Sequence, residues 1–408
     1  MNLIARITST QKTPQTRAAQ KENSRALRFV SAVCQTHRVL IGLFPELDAP
    51  GGVQRAGRHM ASVLTEFAAS KKMEYRLLSL NDTQELHRMR INDREFVFTG
   101  TARGKAGFAV AAMKAARRRA KLVLVAHPNL APIVRSMNLV APRIKSIVCT
   151  HGIEVWEPLS RMRRRALQRA SLVLAPSRAT ADYIVSLQGV PRDNVRVLHW
   201  GLDPDFETRV AATSEVRLPA EFPLGRVVLT VGRWLATERY KGMDTLIQAL
   251  PRLLLRWPEL QLVMVGTGDD KEWLVNLTRD SGVQRHIHFL SDLTFGELSA
   301  CYAAAELFAL PSRGEGFGFV YLEAMAHGKP VIGGAHGGAP EVIQDGVTGY
   351  LVQHGDTVQL VTSIDALLSN PELARQMGAR GRARVEKEFR FPVFAKAFKK
   401  ILRELCES

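Results

Sequence analysis

Glu315 and Glu323 stand eight positions apart in a segment, Leu307–Val331, that is otherwise rich in apolar residues and glycines. An ionised carboxylate only accepts hydrogen bonds, so two of them directed at one pocket suit a ligand that is rich in hydroxyl groups. Considered alone, two glutamates at this spacing are more simply interpreted as part of a solvated helix face. The elements around them decide between these interpretations.

The residues around the glutamates predict a strand, a glycine loop and a helix. Leu307–Leu310 is a short apolar run that is typical of a buried strand. From Phe319 to His327 apolar residues recur at helical spacing, and Gly328 followed by Pro330 is typical of a helix end. This order is one unit of a parallel α/β sheet, in which ligands bind beyond the carboxyl ends of the strands.

The loop between this strand and helix can receive an anion. Its glycines, Gly314, Gly316 and Gly318, let backbone N–H groups approach a ligand closely, and the helix start at Phe319 adds a partial positive charge. Phosphate oxygens on the loop and hydroxyl groups on the two glutamates together describe a nucleotide sugar.

The stretch PSRGEGFGFVYLEAMAHGKPVI resembles the E-x7-E motif of the retaining glycosyltransferases of family 4, which have the GT-B fold. The resemblance continues into GGAPEVIQDGVTGYLV at Gly337–Val352 and covers roughly Val39 to the C-terminus. It implies an α/β fold of two Rossmann-like, doubly wound domains that face each other across a cleft. It also implies that Glu315 holds the sugar hydroxyls during catalysis and that Glu323 holds the ribose diol.

The same resemblance assigns the remaining donor-binding residues of the loop, which are Gly316, Phe317, Gly318 and Phe319. It implies front-side attack on the sugar without an established protein nucleophile. Catalysis then depends on positioning and on stabilising the diphosphate as it departs. The GT-B fold needs no metal for this step, so neither a metal site nor a cofactor is expected.

Two cations are placed where they could neutralise a diphosphate. Arg233 directly follows the predicted strand Val227–Val231, and Lys241 precedes the predicted helix Met243–Leu254. Each would be a solvated charge by default, but both stand at the carboxyl edge of the predicted sheet. The segment GRW…RYKGMDTLIQAL also resembles the family's arginine and lysine pair that grips the diphosphate. We therefore expect both residues to bind the donor and to take part in catalysis.

A second glycine pair follows the first convincing strand, Arg38–Phe44, and precedes a helical pattern from Val53 to Ala68. A lone Gly-Gly is more simply a tight turn. In this chain, however, PGGVQR resembles the glycine loop of the same family, so Gly51 and Gly52 are predicted to contact the donor.

Two histidines end predicted strands. His151 follows IKSIVCT, and THGIEVW resembles the family segment that places a histidine beside the donor sugar, so His151 is predicted to be catalytic. His127 follows LVLVA and is a candidate for the acceptor-binding cleft. A histidine at the end of a strand can also be only a polar cap.

Two other patterns carry less functional weight. Asp203 and Asp205 form a DxD pattern, which we interpret as a turn at the domain junction rather than as a metal-bound diphosphate site. In the preceding HWG, the usual family pattern has a small polar residue where this chain has Trp200. The strand Leu260–Gly266 is followed by GTGDD, which is not the dinucleotide fingerprint GxGxxG.

The charge of the chain is unevenly distributed. Its net charge is +17, and residues 1–200 carry 33 Lys and Arg against 13 Asp and Glu, whereas residues 201–408 carry 23 against 26. Basic clusters at Lys114–Lys121 and Arg161–Arg169 are predicted to lie on helices. Such patches attract anionic lipid head groups, so peripheral contact with an anionic membrane is expected, with solvated helix faces as the simpler alternative.

The bulk composition describes a globular protein of two domains. The 408 residues are 46% hydrophobic, with no apolar run that could span a membrane and no signal-peptide core, so we expect a cytoplasmic enzyme on or near the inner membrane face. Cys34, Cys149, Cys301 and Cys406 are widely spaced and read as reduced thiols.

We therefore predict a basic disordered tail at 1–36, an acceptor-binding domain at 37–203 and a nucleotide-sugar domain at 204–389. A C-terminal helix at 390–408 is expected to pack back on the first domain. The predicted reaction is transfer of a hexose from GDP-mannose or a UDP-hexose to a saccharide or a lipid-linked acceptor. Such products belong to polysaccharide, lipopolysaccharide or glycolipid biosynthesis.

Two other classes of protein compete with a glycosyltransferase. A pI near 10.1 is compatible with nucleic-acid binding, although no aromatic-basic interleaving is present and the second half is slightly acidic, so no nucleic-acid partner is expected. An NAD-dependent dehydrogenase would share the fold units but lacks the fingerprint.

Overall fold

The computed structural model of the chain describes residues 38–91, 94–211 and 217–407. The predicted basic tail at 1–36 and Cys34 lie outside the described residues. Strands and helices alternate through the described segments, and the strands form two separate sheets.

The first sheet is built from eight described strands. They are β1 (Val39–Phe44), β2 (Glu74–Ser79), β3 (Leu86–Ile91), β4 (Arg94–Gly100), β5 (Ala120–Val125), β6 (Lys145–Cys149), β7 (Leu172–Ala175) and β8 (Val195–Val197). Their order across the sheet is β3-β4-β2-β1-β5-β6-β7-β8. Only the β3–β4 pair is antiparallel among these described neighbours.

Helices cover both faces of this sheet. They are α1 (Gly52–Ser70), α2 (Lys105–Ala116), α3 (Ile133–Val140), α4 (Arg161–Gln168) and α5 (Arg178–Ser186), with one-turn 3-10 helices at Pro128–Leu130, Ile153–Val155 and Arg192–Asn194. Alternate residues of β1 point to opposite sides. Leu40 packs in the cluster that contains α1, whereas Ile41 packs in the cluster that contains α2 to α5. Burial on both faces explains why β1 is apolar throughout.

The second sheet has six described strands, all parallel to their neighbours. They are β9 (Arg226–Val231), β10 (Leu260–Val265), β11 (Ile287–Leu290), β12 (Leu307–Leu310), β13 (Val331–Gly334) and β14 (Gly349–Val352), in the order β11-β10-β9-β12-β13-β14. Together the two sheets and their helices confirm the predicted α/β class with two Rossmann-like units.

The remaining helices surround the second sheet or connect it to the first. They are α6 (Phe206–Ala211), α7 (Met243–Leu254), α8 (Lys271–Asp280), α9 (Phe295–Ala304), α10 (Phe319–Ala326), α11 (Ala339–Val342), α12 (Thr357–Ser369), α13 (Pro371–Glu388) and α14 (Phe391–Glu407), with 3-10 segments at Ala236–Lys241 and Gln284–His286. Helix α14 packs on α1 of the first unit, which returns the chain end to the first sheet. One cluster of buried side chains is continuous from Leu40 through Trp200 to the second sheet.

Two elements differ from their prediction. Strand β3 was not predicted, because its residues LHRMRI are mostly charged or exposed and it lies at the edge of the sheet. Arg117–Arg119 were predicted to lie on a helix, but α2 ends at Ala116 and Arg119 has a φ of 57°. That backbone conformation is incompatible with a continuing helix.

Candidate active site between the two sheets

The glycine loop between β12 and α10 touches the end of β6 from the other unit. A Cβ atom placed on Gly316 would lie 1.8 Å from the carbonyl oxygen of His151, and one on Gly152 would lie 2.4 Å from the Cα of Gly316. Only glycines permit the two backbones to approach so closely. The predicted sugar-binding loop and the predicted catalytic histidine therefore meet across the cleft.

Arg233 and Lys241 converge on a carboxylate that the sequence interpretation missed. The guanidinium of Arg233 hydrogen-bonds Glu238 Oε1, and Lys241 Nζ lies 3.8 Å from Glu238 Oε2. Lys241 Nζ also lies 2.8 Å from Glu315 Oε1. The two predicted cations and Glu315 are thus brought together around Glu238, whose side chain is 8% exposed.

Glu238 belongs to a 3-10 segment, Ala236–Lys241, that connects β9 to α7. Its Oε2 is buried without a hydrogen-bond partner among the described residues. Burial raises the pKa of the adjacent Tyr240, and the carboxylates of Glu238 and Glu315 raise it further. Arg233 contacts one carboxylate, Glu238, and Lys241 lies beside two, Glu238 and Glu315. The cavity beside them measures about 20 Å³, so the protein atoms nearly fill this space.

Both oxygens of Glu323 are occupied. Oε1 lies 2.6 Å from Arg55 Nη1, and Oε2 accepts a hydrogen bond of 2.9 Å from the buried hydroxyl of Tyr302. Arg55 is on α1, three residues after Gly52, so this ion pair joins the two units. The carboxylate predicted to hold the ribose diol therefore already has two partners.

Arg55 continues a buried polar chain towards the junction. Its Nε lies 3.3 Å from Asp203 Oδ2, and Asp203 Oδ1 lies 2.8 Å from His59 Nε2. Burial alone would raise the pKa of Asp203, but the hydrogen bond from His59 and the charge of Arg55 outweigh it and lower the pKa to about 2. Burial also lowers the pKa of His59. A turn does follow Asp203, as predicted, but the side chain of Asp203 also binds Arg55 and His59 on α1.

The first glycine pair lies against the donor loop. A Cβ atom on Gly52 would lie 3.5 Å from the ring of Phe319, and the guanidinium of Arg55 lies 5.0 Å from the centre of that ring. The Arg58 side chain holds the preceding loop by hydrogen bonds to two backbone carbonyl oxygens. Gly51–Gly52 and the start of α10 are therefore neighbours. Both segments are predicted to contact the donor, which requires them to lie close together.

Three rings stack in the cleft at the ends of β5, β6 and β8. The centre of the His151 ring lies 5.8 Å from that of His127 and 5.7 Å from that of Trp200. Trp200 is 2% exposed, so the departure from the usual family pattern provides a packing surface for His151. The two predicted histidines are adjacent, although the sequence separates them by a whole β-strand unit.

Hydrogen bonds assign the tautomers of these histidines. His151 Nε2 lies 2.7 Å from the carbonyl oxygen of Ala126, which can only accept, so Nε2 carries a proton. His127 Nδ1 accepts from the backbone N–H of Asn129 at 3.1 Å, so its proton is on Nε2. Burial, with the charges of His151 and Arg163, lowers the pKa of His127 to about 3. His127 is therefore a neutral imidazole that offers one N–H donor.

Phe317 packs its side chain at the interface of the two units, and Gly318 directly precedes α10. The Phe317 ring is buried and stacks on His199 with their centres 5.7 Å apart. Gly318 caps α10 with a φ of 96°. His199 Nε2 also lies 2.9 Å from Glu341 Oε2 on α11, a further contact between the two units that the sequence interpretation missed.

Two kinds of feature are absent from the described part of the chain. It contains no group of three or more His, Cys, Asp or Glu side chains arranged to hold a metal ion. None of the helices described is both long and apolar enough to cross a bilayer.

Two family models match the chain on either side of the junction. The model described as Glycosyltransferase Family 4 matches residues 50–206, and the one described as Glycosyl transferases group 1 matches residues 221–384. The first includes Gly51, Arg55 and His151, and the second includes Arg233 and Glu323.

Curated relatives are similar over more than half of the chain. A GDP-mannose-dependent alpha-(1-6)-phosphatidylinositol monomannoside mannosyltransferase of Mycolicibacterium smegmatis is 37% identical over 268 residues, which are 62% of this chain and 67% of the relative. The protein of the same name from Mycobacterium tuberculosis is 34% identical over 285 residues, 65% of this chain and 73% of the relative.

Solved structures share the fold of both units. Sucrose-phosphate synthase of Thermosynechococcus elongatus superposes with a TM-score of 0.71 at 21% identity, over 90% of this chain and 99% of that structure. Anabaena HepE in complex with UDP-glucose superposes with a TM-score of 0.68 at 19% identity, over 90% of this chain and 100% of that structure.

Proposed function

Because this chain belongs to family 4 of the glycosyltransferases and has their GT-B fold, we propose that it transfers mannose from GDP-mannose to a lipid-linked acceptor. That it uses a nucleotide-sugar donor follows from the family. The choice of GDP-mannose over a UDP-hexose is supported by the names of the mannosyltransferases to which the chain is similar. The choice of a lipid-linked acceptor has the same support.

The observation that carries the proposal is the cluster of Arg233, Lys241, Glu238 and Glu315 opposite His151. Arg233 and Lys241 bind the diphosphate of the donor and stabilise the charge that develops on it as the sugar leaves. They supply this positive charge without a divalent metal. Glu238 positions both cations, since it contacts each of them. Lys241 exchanges its contact with Glu315 for a phosphate oxygen, which releases Glu315 towards the sugar.

Retention at the anomeric carbon is part of the proposal. His151 and the Gly316 backbone lie together at the cleft. In this proposal the acceptor hydroxyl attacks the sugar from the side on which the diphosphate departs, as the family resemblance implies. Glu315 and His151 hold the sugar, and neutral His127 donates a hydrogen bond from Nε2 to the acceptor. Arg233 and Lys241 are called the diphosphate clamp here. Rate enhancement comes from positioning and from the electrostatics of this clamp rather than from a covalent intermediate.

The acceptor domain contacts an anionic membrane in this proposal. Residues 101–150 contain ten basic and no acidic residues, and Arg117–Arg119 are exposed. None of these three arginines forms an ion pair with a residue that the structure describes. Each basic residue near an anionic surface contributes about 1 kcal/mol to binding, and salt weakens this attraction.

A thermal-shift screen with GDP, UDP and ADP tests the donor assignment. We expect GDP to raise the melting temperature more than UDP or ADP. Transfer from GDP-mannose to phosphatidylinositol mannoside is then measured, and NMR of the product determines whether the α configuration is retained. Stabilisation by UDP alone would reject GDP-mannose, and a β-linked product would reject retention.

A further inference from the structure

A surface groove lies between α4 and the turn that ends α5. It has a volume of about 280 Å³, and its lining is made of Arg161, Arg164, Arg165, Gln168 and residues 186–189. This set of residues, called the arginine groove here, is on the first unit. No residue of the proposed donor or acceptor site lines it.

The three arginines share one side of α4 because their spacing is i, i+3 and i+4. Like charges at this spacing destabilise a helix, so the arrangement has a cost that an ion pair would normally offset. None of the three guanidinium groups hydrogen-bonds or forms an ion pair with another residue that the structure describes. Their donors therefore remain available to a ligand.

The far wall of the groove is held in place by buried hydrogen bonds. Gln188 is fully buried, and its side-chain amide donates to the carbonyl oxygens of Val155 and Glu157, each at 2.8 Å. Gln168 Nε2 donates to the Gln188 carbonyl oxygen at 2.8 Å. These bonds fix α4 against the turn that ends α5, so the width of the groove is set before any ligand arrives.

The carboxylate of Asp182 on α5 is paired with an arginine that does not line the groove. Asp182, one helical turn before Ser186, lies 2.7 Å from Arg192. The opposite side of α4 faces the proposed acceptor site, where the charge of Arg163 acts on His127. A ligand in the groove would therefore be bound on the helix that borders the acceptor.

We propose that the arginine groove binds the phosphoryl group of an anionic lipid head group and so positions the acceptor domain on the membrane. Guanidinium groups bind phosphate through two parallel hydrogen bonds, and three unpaired ones on one wall can surround a single phosphoryl group. Free inorganic phosphate offers the same chemistry. The proposal rests on the proposed lipid-linked acceptor and adds a binding site for lipid outside the catalytic cleft.

The test changes the shape of the three cationic side chains in the groove without changing their charge. R161K/R164K/R165K preserves the net charge but removes the planar forks, and R375K/R380K/R382K on α13 of the second unit is the matched control outside the groove. Sedimentation measures binding to phosphatidylcholine vesicles with and without phosphatidylinositol, and calorimetry measures binding of inorganic phosphate. We expect the groove variant to lose about tenfold in affinity for phosphatidylinositol vesicles, the loss of one bidentate contact, while the control binds like wild type.

The probes distinguish the two sources of the phosphoryl group. Loss of phosphate binding in the groove variant, with unchanged vesicle binding, would assign the groove to the free anion. Equal behaviour of both triple variants, or a wild type that binds neither probe, would overturn the proposal. GDP stabilisation is measured on the same proteins and should be unchanged. A wild type that GDP does not stabilise would count against the proposed function and leave the vesicle result interpretable.

Discussion

Arg55 Nη1 lies 2.6 Å from Glu323 Oε1, across the interface of the two units and 268 positions away in the chain. Tyr302 holds the other oxygen of this carboxylate, and Asp203 holds the other side of the arginine. If Glu323 binds the ribose of the donor, we expect the ribose to displace Arg55 from this carboxylate. The ion pair would then compete with the donor for Glu323.

Replacing Arg55 by Met should therefore strengthen GDP binding by about fivefold or more, the usual lower scale of coupling between two competing interactions. The same variant should melt earlier, because it leaves Glu323 and Asp203 as buried charges without their cation. Calorimetry measures the affinity. Arg58→Met on the same helix is the control, since the hydrogen bonds of Arg58 go to backbone carbonyl oxygens of the preceding loop and not to Glu323. Weaker GDP binding in the Arg55 variant would mean that Arg55 orients Glu323 instead.

Removing a charge from the diphosphate clamp should affect activity more than stability. Arg233→Ala or Lys241→Ala should lower kcat/KM by about 10²–10³, the scale for the loss of one transition-state contact. Glu238→Gln should lower it as well, through misplacement of both cations. Arg239→Ala is the control within the same segment, because Arg239 is bound to Asp270 by two hydrogen bonds of 2.7 Å. Near-normal turnover in both clamp variants would reject the assignment.

Substitution of Glu323 and substitution of Glu315 should affect different steps of the reaction. Glu323→Ala should weaken binding of GDP itself, because its proposed partner is the ribose. Glu315→Ala should leave GDP affinity nearly intact while reducing transfer, because its proposed partner is the sugar. Calorimetry with GDP and a transfer assay separate the two effects, and circular dichroism checks that α10 remains folded. The opposite ranking would reverse the assigned roles.

The strand, loop and helix around Glu315 could be predicted from the sequence because each has a local signal. Leu307–Leu310 and Met243–Leu254 have the predicted bounds, since apolar spacing, glycines and proline define them without help from the rest of the chain. Edge strand β3 has no such signal, because a charged strand at a sheet edge resembles a loop in its composition.

The partners of the site residues could not be predicted, because they depend on how the two units pack. The Arg55–Glu323 pair joins distant segments, and Trp200 stacks on His151 only after three strands align. Glu238 lies in an irregular segment between Arg233 and Lys241, both of which were predicted from the sequence to bind the donor. Its position between Arg233 and Lys241 in the sequence was the one available signal.

His151→Ala should abolish most sugar transfer and leave GDP bound, since His151 approaches the donor loop from the opposite unit. If His151 were only a polar cap at the end of its strand, the variant would melt at a lower temperature and transfer mannose normally. His151→Asn keeps a polar side chain and is the comparison that separates loss of a hydrogen bond from loss of the stack on Trp200. Transfer rate, GDP affinity and melting temperature are measured on both variants.

His127 should make the protein less stable in acid. Burial first, then the charges of His151 and Arg163, lowers its pKa to about 3 in the folded state, whereas an unfolded histidine has a pKa of about 6.5. Between these values the unfolded chain binds a proton that the folded chain does not. The free energy of unfolding contributed by this group is therefore complete above about pH 6.5 and is lost as the pH falls towards 3. Urea unfolding between pH 7 and pH 5 avoids most of the carboxylate titration and measures the slope of the free energy of unfolding against pH.

His59, His288 and His327 have lowered pKa values too and act in the same direction, so His127→Gln should flatten this slope without removing it. A His127→Gln slope parallel to that of wild type would mean that His127 gains its proton while the cleft is still folded.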